Sequence, residues 1–147
     1  MDSRRFIGKT FPEGLQALNA LDIVIRDSGI DKWHQELIKI RSSQLNGCAF
    51  CLDKHVQDAI LLGIDTRKIN LVAAWKEAKN HFTDEEQLIL LLTEEITMIH
   101  NDGLSDGVYA DCVTAFGEAL TGQMIMAATV INAWNRIGVG FKMQPKF

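Results

Sequence analysis

Residues 36–55 read Glu36-Leu37-Ile38-Lys39-Ile40-Arg41-Ser42-Ser43-Gln44-Leu45-Asn46-Gly47-Cys48-Ala49-Phe50-Cys51-Leu52-Asp53-Lys54-His55. Asn46-Gly47 is a helix-stop signal, because glycine adopts the left-handed conformation that ends a helix without steric cost. Ahead of it, Trp33, Leu37, Ile40 and Leu45 follow a helical period loosely, and Asp31 is the natural N-cap. The pattern predicts one helix from near Asp31 to Asn46 and another that starts at or just after Cys48 and ends at Gly63. In the latter, Cys48, Cys51 and His55 have the spacing Cys-x-x-Cys-x-x-x-His. At roughly 100° per residue, Cys51 lies about −60° and His55 about −20° from Cys48, so all three share one narrow stripe. A thiol pair beside a potential base is disposed toward oxidation or metal binding.

Outward from this pair, the chain continues as helices. Pro12 occupies a favourable first turn of a helix that runs to about Asp27 and carries Leu15, Leu18, Ile23 and Ile25, with Ser28-Gly29 as its stop. Asp65 or Thr66 caps a short helix bearing Ile69, Leu71 and Val72. Thr83-Asp84-Glu85-Glu86 has the form of a capping box. It opens a helix whose expected buried stripe is Leu88, Leu91, Leu92, Ile96 and Ile99, stopped by Asn101-Asp102-Gly103. Ser105-Asp106 opens a further helix through Phe116, and a last one covers about Glu118 to Ile137 with Gly138 expected just past its end. No alternating strand pattern is present. The class is all-α, with six or seven helices in a single domain across residues 1–147.

Composition narrows the function. The 147 residues are long enough for one hydrophobic core. Net charge is −4 and no basic stripe interleaves with aromatics, which argues against nucleic-acid binding. The segment Met1-Asp2-Ser3-Arg4-Arg5-Phe6 has no apolar signal core, and the stretch from Met124 to Trp134 is too short to span a bilayer. A cytoplasmic protein with no membrane association is expected. Three cysteines, two of them close together, do not make the disulfide framework of a secreted domain and favour redox chemistry or metal binding.

If Cys48 begins a helix, the dipole and free amides there favour its thiolate. Glu36, on the preceding helix, is a candidate to fix the tautomer of His55, although surface solvation is the ordinary state of a glutamate. Structural zinc is an alternative, with Cys112, His34, His81 and His100 as distant extra ligands. A pair of cysteines that merely packs is another. Cys112 itself reads as a core residue. Trp134, Asn135 and Arg136 read equally as a subunit contact or as a helix end, and Met124, Met126, Ala127 and Ala128 suit close helix packing.

The run from Glu36 to His55 resembles the core of the carboxymuconolactone decarboxylase/AhpD-like alkyl hydroperoxidase superfamily. The segment Ile131-Asn132-Ala133-Trp134-Asn135-Arg136-Ile137 is similar to the closing helix of many of its small members. The resemblance covers most of the chain and is densest from Glu36 to Gly63. It implies an AhpD-like helical bundle, a homo-oligomer, and hydroperoxide reduction without haem, flavin or metal. By position, Cys51 matches the peroxidatic cysteine, Cys48 the resolving one, His55 the histidine of a proton relay and Glu36 the glutamate that feeds it. The implied partners are a hydroperoxide substrate and an external dithiol reductant, such as a thioredoxin-like or lipoyl protein. One departure concerns Phe50: alkyl hydroperoxidase D carries a second histidine just before the second cysteine. The lactone decarboxylase branch generally lacks the dithiol, so its presence here favours redox chemistry. A dithiol redox sensor or disulfide oxidoreductase, a lyase on the same scaffold, and a non-catalytic oligomer are the competing readings.

Overall fold

The computed structural model describes residues 4–146. The helices are α1 (Ile7–Thr10), α2 (Pro12–Arg26), α3 (Lys32–Asn46), α4 (Ala49–Leu61), α5 (Thr66–Leu71), α6 (Asp84–Thr97), α7 (Asp106–Phe116) and α8 (Glu118–Gly140). Two 3₁₀ turns, Val72–Ala74 and Lys79–His81, connect α5 to α6, and the described residues contain no strand. The all-α class holds, with a short α1 that has no marked periodicity in the sequence.

The predicted boundaries rest on local chemistry. Asp31 accepts from the amides of Trp33 and His34, Asp65 from that of Arg67, and Ser105 from that of Val108. At the head of α6, Glu86 N–H donates to Thr83 Oγ1 at 3.1 Å and Thr83 N–H donates to Glu86 Oε2 at 2.8 Å, completing the capping box. Gly47 takes φ 64°, and Cys48 N–H reaches back to the Ser43 carbonyl at 3.0 Å. That reversal lets α4 begin immediately after α3 ends.

α3 is the central element and packs against α4, α6 and α8. Leu37, Ile38 and Ile40 are fully buried, and truncating any one of them to alanine carries a cost of about 2–5 kcal/mol. Because α3 is surrounded, several of its polar side chains are buried too. Gln35 Nε2 donates to the Ile30 carbonyl at 3.0 Å, Ser42 shares a 3.1 Å hydrogen bond with Thr97, and Asn135 Nδ2 donates to Ser43 Oγ at 3.0 Å. At its C-terminal end, Asn46 Nδ2 donates to both Asn132 Oδ1 and Asn135 Oδ1, each at 2.9 Å. Asn132 Nδ2 in turn donates to Thr97 Oγ1 at 3.0 Å. This asparagine cluster fastens α3 to α6 and α8, and so sets where α4 begins relative to α8.

Three expectations are corrected. On α6 the fully buried residues are Ile89, Leu90, Leu92 and Thr93, while Leu88, Leu91 and Ile96 are half-buried. Ile99 lies beyond the helix end and is 56% exposed. The wider buried face follows from α6 contacting α3, α7 and α8 together. Ile23 of α2 is exposed, and Ile25 is that helix's buried residue. Finally, α8 does not stop at Ile137: it continues to Gly140, with Gly138 inside it and buried. Arg136 is accordingly within the helix, where its guanidinium donates to the Asn132 carbonyl and side-chain oxygens at 3.0 and 3.1 Å.

Candidate functional site

Cys48 is the N-cap of α4. Its Sγ accepts from the Cys51 amide at 3.3 Å, as the side-chain oxygen of an ordinary N-cap would. Cys48 and Cys51 are joined as a disulfide, with Cα atoms 5.3 Å apart. Both are buried against α8. Cys51 Sγ lies 3.8 Å from the carbonyl oxygen of Trp134. A Cβ built on Gly138 would sit 2.7 Å from Cys48 Sγ, closer than real Cβ contacts allow, and 3.1 Å from Cys51 Sγ, which is tight. Gly138 is therefore a glycine because the sulfurs pack against bare backbone, and not because a helix ends there.

One turn beyond Cys51 on α4, His55 faces α3. Its Nδ1 is 2.8 Å from Glu36 Oε2, and Lys39 Nζ donates to Glu36 Oε1 at 3.2 Å. A carboxylate only accepts, so the contact assigns a proton to Nδ1, and in the neutral ring the lone pair is then on Nε2. Nε2 makes no hydrogen bond within the protein, yet no buried side-chain nitrogen or oxygen among the described residues is left without a partner. Nε2 therefore keeps some solvent exposure. Asp58, one turn further, approaches Nδ1 at 3.6 Å and forms an ion pair with Lys54 at 2.7 Å. The neighbouring His55 hydrogen bond and Lys54 hold the Asp58 carboxyl well below the usual carboxylate range, against the opposing effect of its partial burial.

Cys51 and His55 both line a cavity of ≈ 220 Å³, together with Phe50, Trp134, Gly138 and Phe6 of the N-terminal segment, while His55 also borders a wider cleft of ≈ 660 Å³ with Glu36, Lys39, Lys54 and Asp58. Phe6 is held there by an edge-on contact with Phe141, and Arg4 donates to the Gly140 carbonyl at 2.6 Å. Cys48 lines a different cavity, of ≈ 200 Å³, with Gly47, Ala49, Val139, Lys142 and Gln144.

The carboxymuconolactone decarboxylase family model matches residues 11–94, a stretch from α2 into α6 that includes Glu36, Cys48, Cys51 and His55. The chain belongs to the carboxymuconolactone decarboxylase family. It is similar to the uncharacterized protein YdfG of Bacillus subtilis (strain 168), with 35% identity over 128 residues, covering 87% of this chain and 86% of that one. A solved structure from Agrobacterium tumefaciens, of a protein of unknown function described as a candidate antioxidant defence protein AhpD, superposes with a TM-score of 0.93 at 33% identity over 98% of both chains. The fold is the AhpD-like helical one of this family.

Against that family background, all four residues singled out in the sequence lie together: Glu36 from α3, and Cys48, Cys51 and His55 from α4. Glu36 is buried and paired with His55 rather than solvated. His34, His81, His100 and Cys112 do not join them. Among the described residues, the cluster with metal-ligand spacing is Glu36, His55 and Asp58, which contains no cysteine and whose carboxylates already meet Lys39 and Lys54. Cys112 is fully buried on α7, and burial pushes its thiol up to about 11. Asn135 is a buried strut between α3 and α8. Gly138 and Phe6 are contributors that sequence reasoning missed. Nothing local distinguishes Gly138 from a helix-ending glycine, and Phe6 lies far from the motif in sequence. Lys39 and Asp58 do carry a signal, each being three residues along a helix from Glu36 or His55.

Proposed function

We propose that this protein is a thiol-dependent hydroperoxide reductase, with Cys51 as the attacking cysteine, Cys48 as the resolving one, His55 as the base and Glu36 as the residue that positions it. The observation that carries this reading is that Cys51 and His55 line one small cavity, with the Nδ1 of His55 paired to Glu36 at 2.8 Å. In the reduced protein, His55 Nε2 takes the proton of Cys51. The thiolate attacks the O–O bond, giving a Cys51 sulfenic acid and an alcohol. Cys48 then attacks the sulfenic sulfur, water leaves, and the Cys48–Cys51 disulfide forms. The helix start at Cys48 supports the ionised state this step needs. An external dithiol restores both thiols by exchange.

The test is consumption of an organic hydroperoxide by the protein in the presence of dihydrolipoamide or a thioredoxin system. Turnover is expected, with loss of at least about two orders of magnitude in both Cys51→Ser and His55→Ala, the usual range for removing a nucleophile or general base. Unchanged consumption by Cys51→Ser would overturn the mechanism. Phe50 supplies an apolar wall of the cavity where a second histidine would otherwise extend proton transfer, and this favours a second reading as a disulfide oxidoreductase. Facile disulfide cycling with negligible peroxide turnover is the outcome that selects it.

The same reading includes self-association. Val24 on α2 is 65% exposed and Leu61 at the end of α4 is 85% exposed, with Ile23 and Leu62 beside them also exposed.

A further inference from the structure

The two cysteines of the disulfide line different cavities. Cys51 lines the ≈ 220 Å³ cavity with His55, Phe50 and Trp134. Cys48 lines the ≈ 200 Å³ cavity with Ala49, Val139, Lys142 and Gln144. Gly138 and Met143 border both. In thiol–disulfide exchange the incoming thiolate reaches one sulfur along the extension of the S–S bond and expels the other, so access decides which sulfur is attacked. A nucleophile in the first cavity meets Cys51. A nucleophile in the second meets Cys48.

We infer that the second cavity is where the reducing dithiol docks, and that its thiolate attacks Cys48. This rests on the hydroperoxide-reductase reading for its place in a cycle, but it makes a separate claim about the disulfide. The second cavity lies at the start of α4, where the first-turn amides carry the positive end of the helix dipole, which favours an approaching anion. It also opens more widely to solvent than the aromatic-walled first cavity, as a sulfur borne on a larger molecule requires.

The step balances as follows. The reductant's thiolate forms a bond to Cys48 Sγ, and the S–S electron pair leaves on Cys51 Sγ. Cys51 is released into the cavity it shares with His55, where it takes up a proton. The second thiol of the reductant loses its proton and attacks the reductant's own sulfur in the mixed disulfide. Cys48 leaves as a thiolate and is protonated, and the reductant departs as a disulfide. Two electrons and two protons have passed from one dithiol to Cys48 and Cys51. The first cavity is left clear for the peroxide throughout.

The experiment separates the two half-reactions. The disulfide form is prepared with diamide, so no peroxide step enters. It is mixed briefly with 2-mercaptoethanol, quenched in acid, alkylated, and mapped by peptide mass. The adduct is expected on Cys48 with the alkyl group on Cys51; an adduct on Cys51, or an even split, overturns the inference. In parallel, Ala49→Phe and Val139→Phe place rings in the second cavity at exposed positions. Each is expected to slow reduction by dihydrolipoamide about tenfold or more by closing the access that exchange needs. Oxidation of the prereduced protein by hydroperoxide should be unaltered. Reduction at the parental rate in both variants overturns the docking site. Failure of the peroxidase reading would show differently, as no oxidation of the reduced protein by hydroperoxide with the mapping and reduction results intact.

Discussion

Gly138 shows how a single residue reports on the site. Replacing it with alanine improves intrinsic helix propensity by about 1 kcal/mol, which taken alone would stabilise α8. The added methyl, however, meets Cys48 Sγ at 2.7 Å and Cys51 Sγ at 3.1 Å, and overpacking of a filled interior costs about 1–3 kcal/mol. Gly138→Ala is therefore expected to lower the guanidinium midpoint of the disulfide form; a raised midpoint would mean that the sulfurs do not press on this helix. Glu36 is the other informative residue. Glu36→Gln keeps an oxygen to accept from His55 Nδ1 but removes the negative charge. The expected result is a loss of about tenfold or more in the peroxide rate, within the range of general-base effects, together with a displaced pH dependence of Cys51 alkylation. A merely structural Glu36 would leave the alkylation profile where it is.

At the scale of the element, α6 is anchored through two glutamates, Glu86 buried and Glu94 half-buried. Glu94 accepts from Trp75 Nε1 and Arg41 at 2.8 Å and pairs with Lys76 at 2.7 Å. Glu86 accepts from Trp33 Nε1 at 2.6 Å, from Lys68 at 2.7 Å and from the Thr83 amide at 2.8 Å. These contacts pin α5 and the following turns onto α3 and α6. Burial pushes the Glu86 carboxyl up, but Lys68, the Thr83 amide and the Trp33 indole outweigh it and hold the group below its ordinary value of 4.5. The folded state thus binds its proton less readily than the unfolded chain does. The resulting stability is present above the unfolded value and is lost as pH falls through the lower folded one. Glu86→Gln should cost about 1.5–3 kcal/mol at neutral pH, the range for hydrogen bonds to a charged group. It should also flatten the fall of stability below pH 4.5, which chemical denaturation at a series of pH values would measure. An equal acid slope in both proteins would mean that Glu86 is not the group being titrated.

For the whole molecule, burial is uneven. α3 is enclosed, whereas α2 and the end of α4 leave Val24 and Leu61 in solvent. Apolar side chains of this size left in solvent are material for an interface. Sedimentation is expected to report a homo-oligomer, and Val24→Glu combined with Leu61→Glu is expected to lower the assembled mass without loss of helical content. A parent protein that sediments as a monomer would refute this. No helix among the described residues is long and apolar enough to cross a membrane.

Most of the helical plan could be read in the chain because its signals are local. Asp31, Gly47, Asp65, Thr83 with Glu86, and Ser105 each act on backbone groups within a few residues, so their effect does not depend on the rest of the fold. The stripe of Cys48, Cys51 and His55 was legible for the same reason, since helical geometry alone sets it. Glu36 could be picked out by family motif, but its contact with His55 depends on how α3 and α4 pack. The last turn of α8, the reason for Gly138, the full width of the buried face of α6 and the separate cavities of the two cysteines could not be read there. They depend on residues far apart in sequence, with Asn46, Asn132 and Asn135 holding α8 against the start of α4. Sequence by itself determined which helices form and which groups share a helix face. Only the tertiary structure decided which atoms meet across helices, because close packing between elements is specified by the whole chain and by no single segment of it.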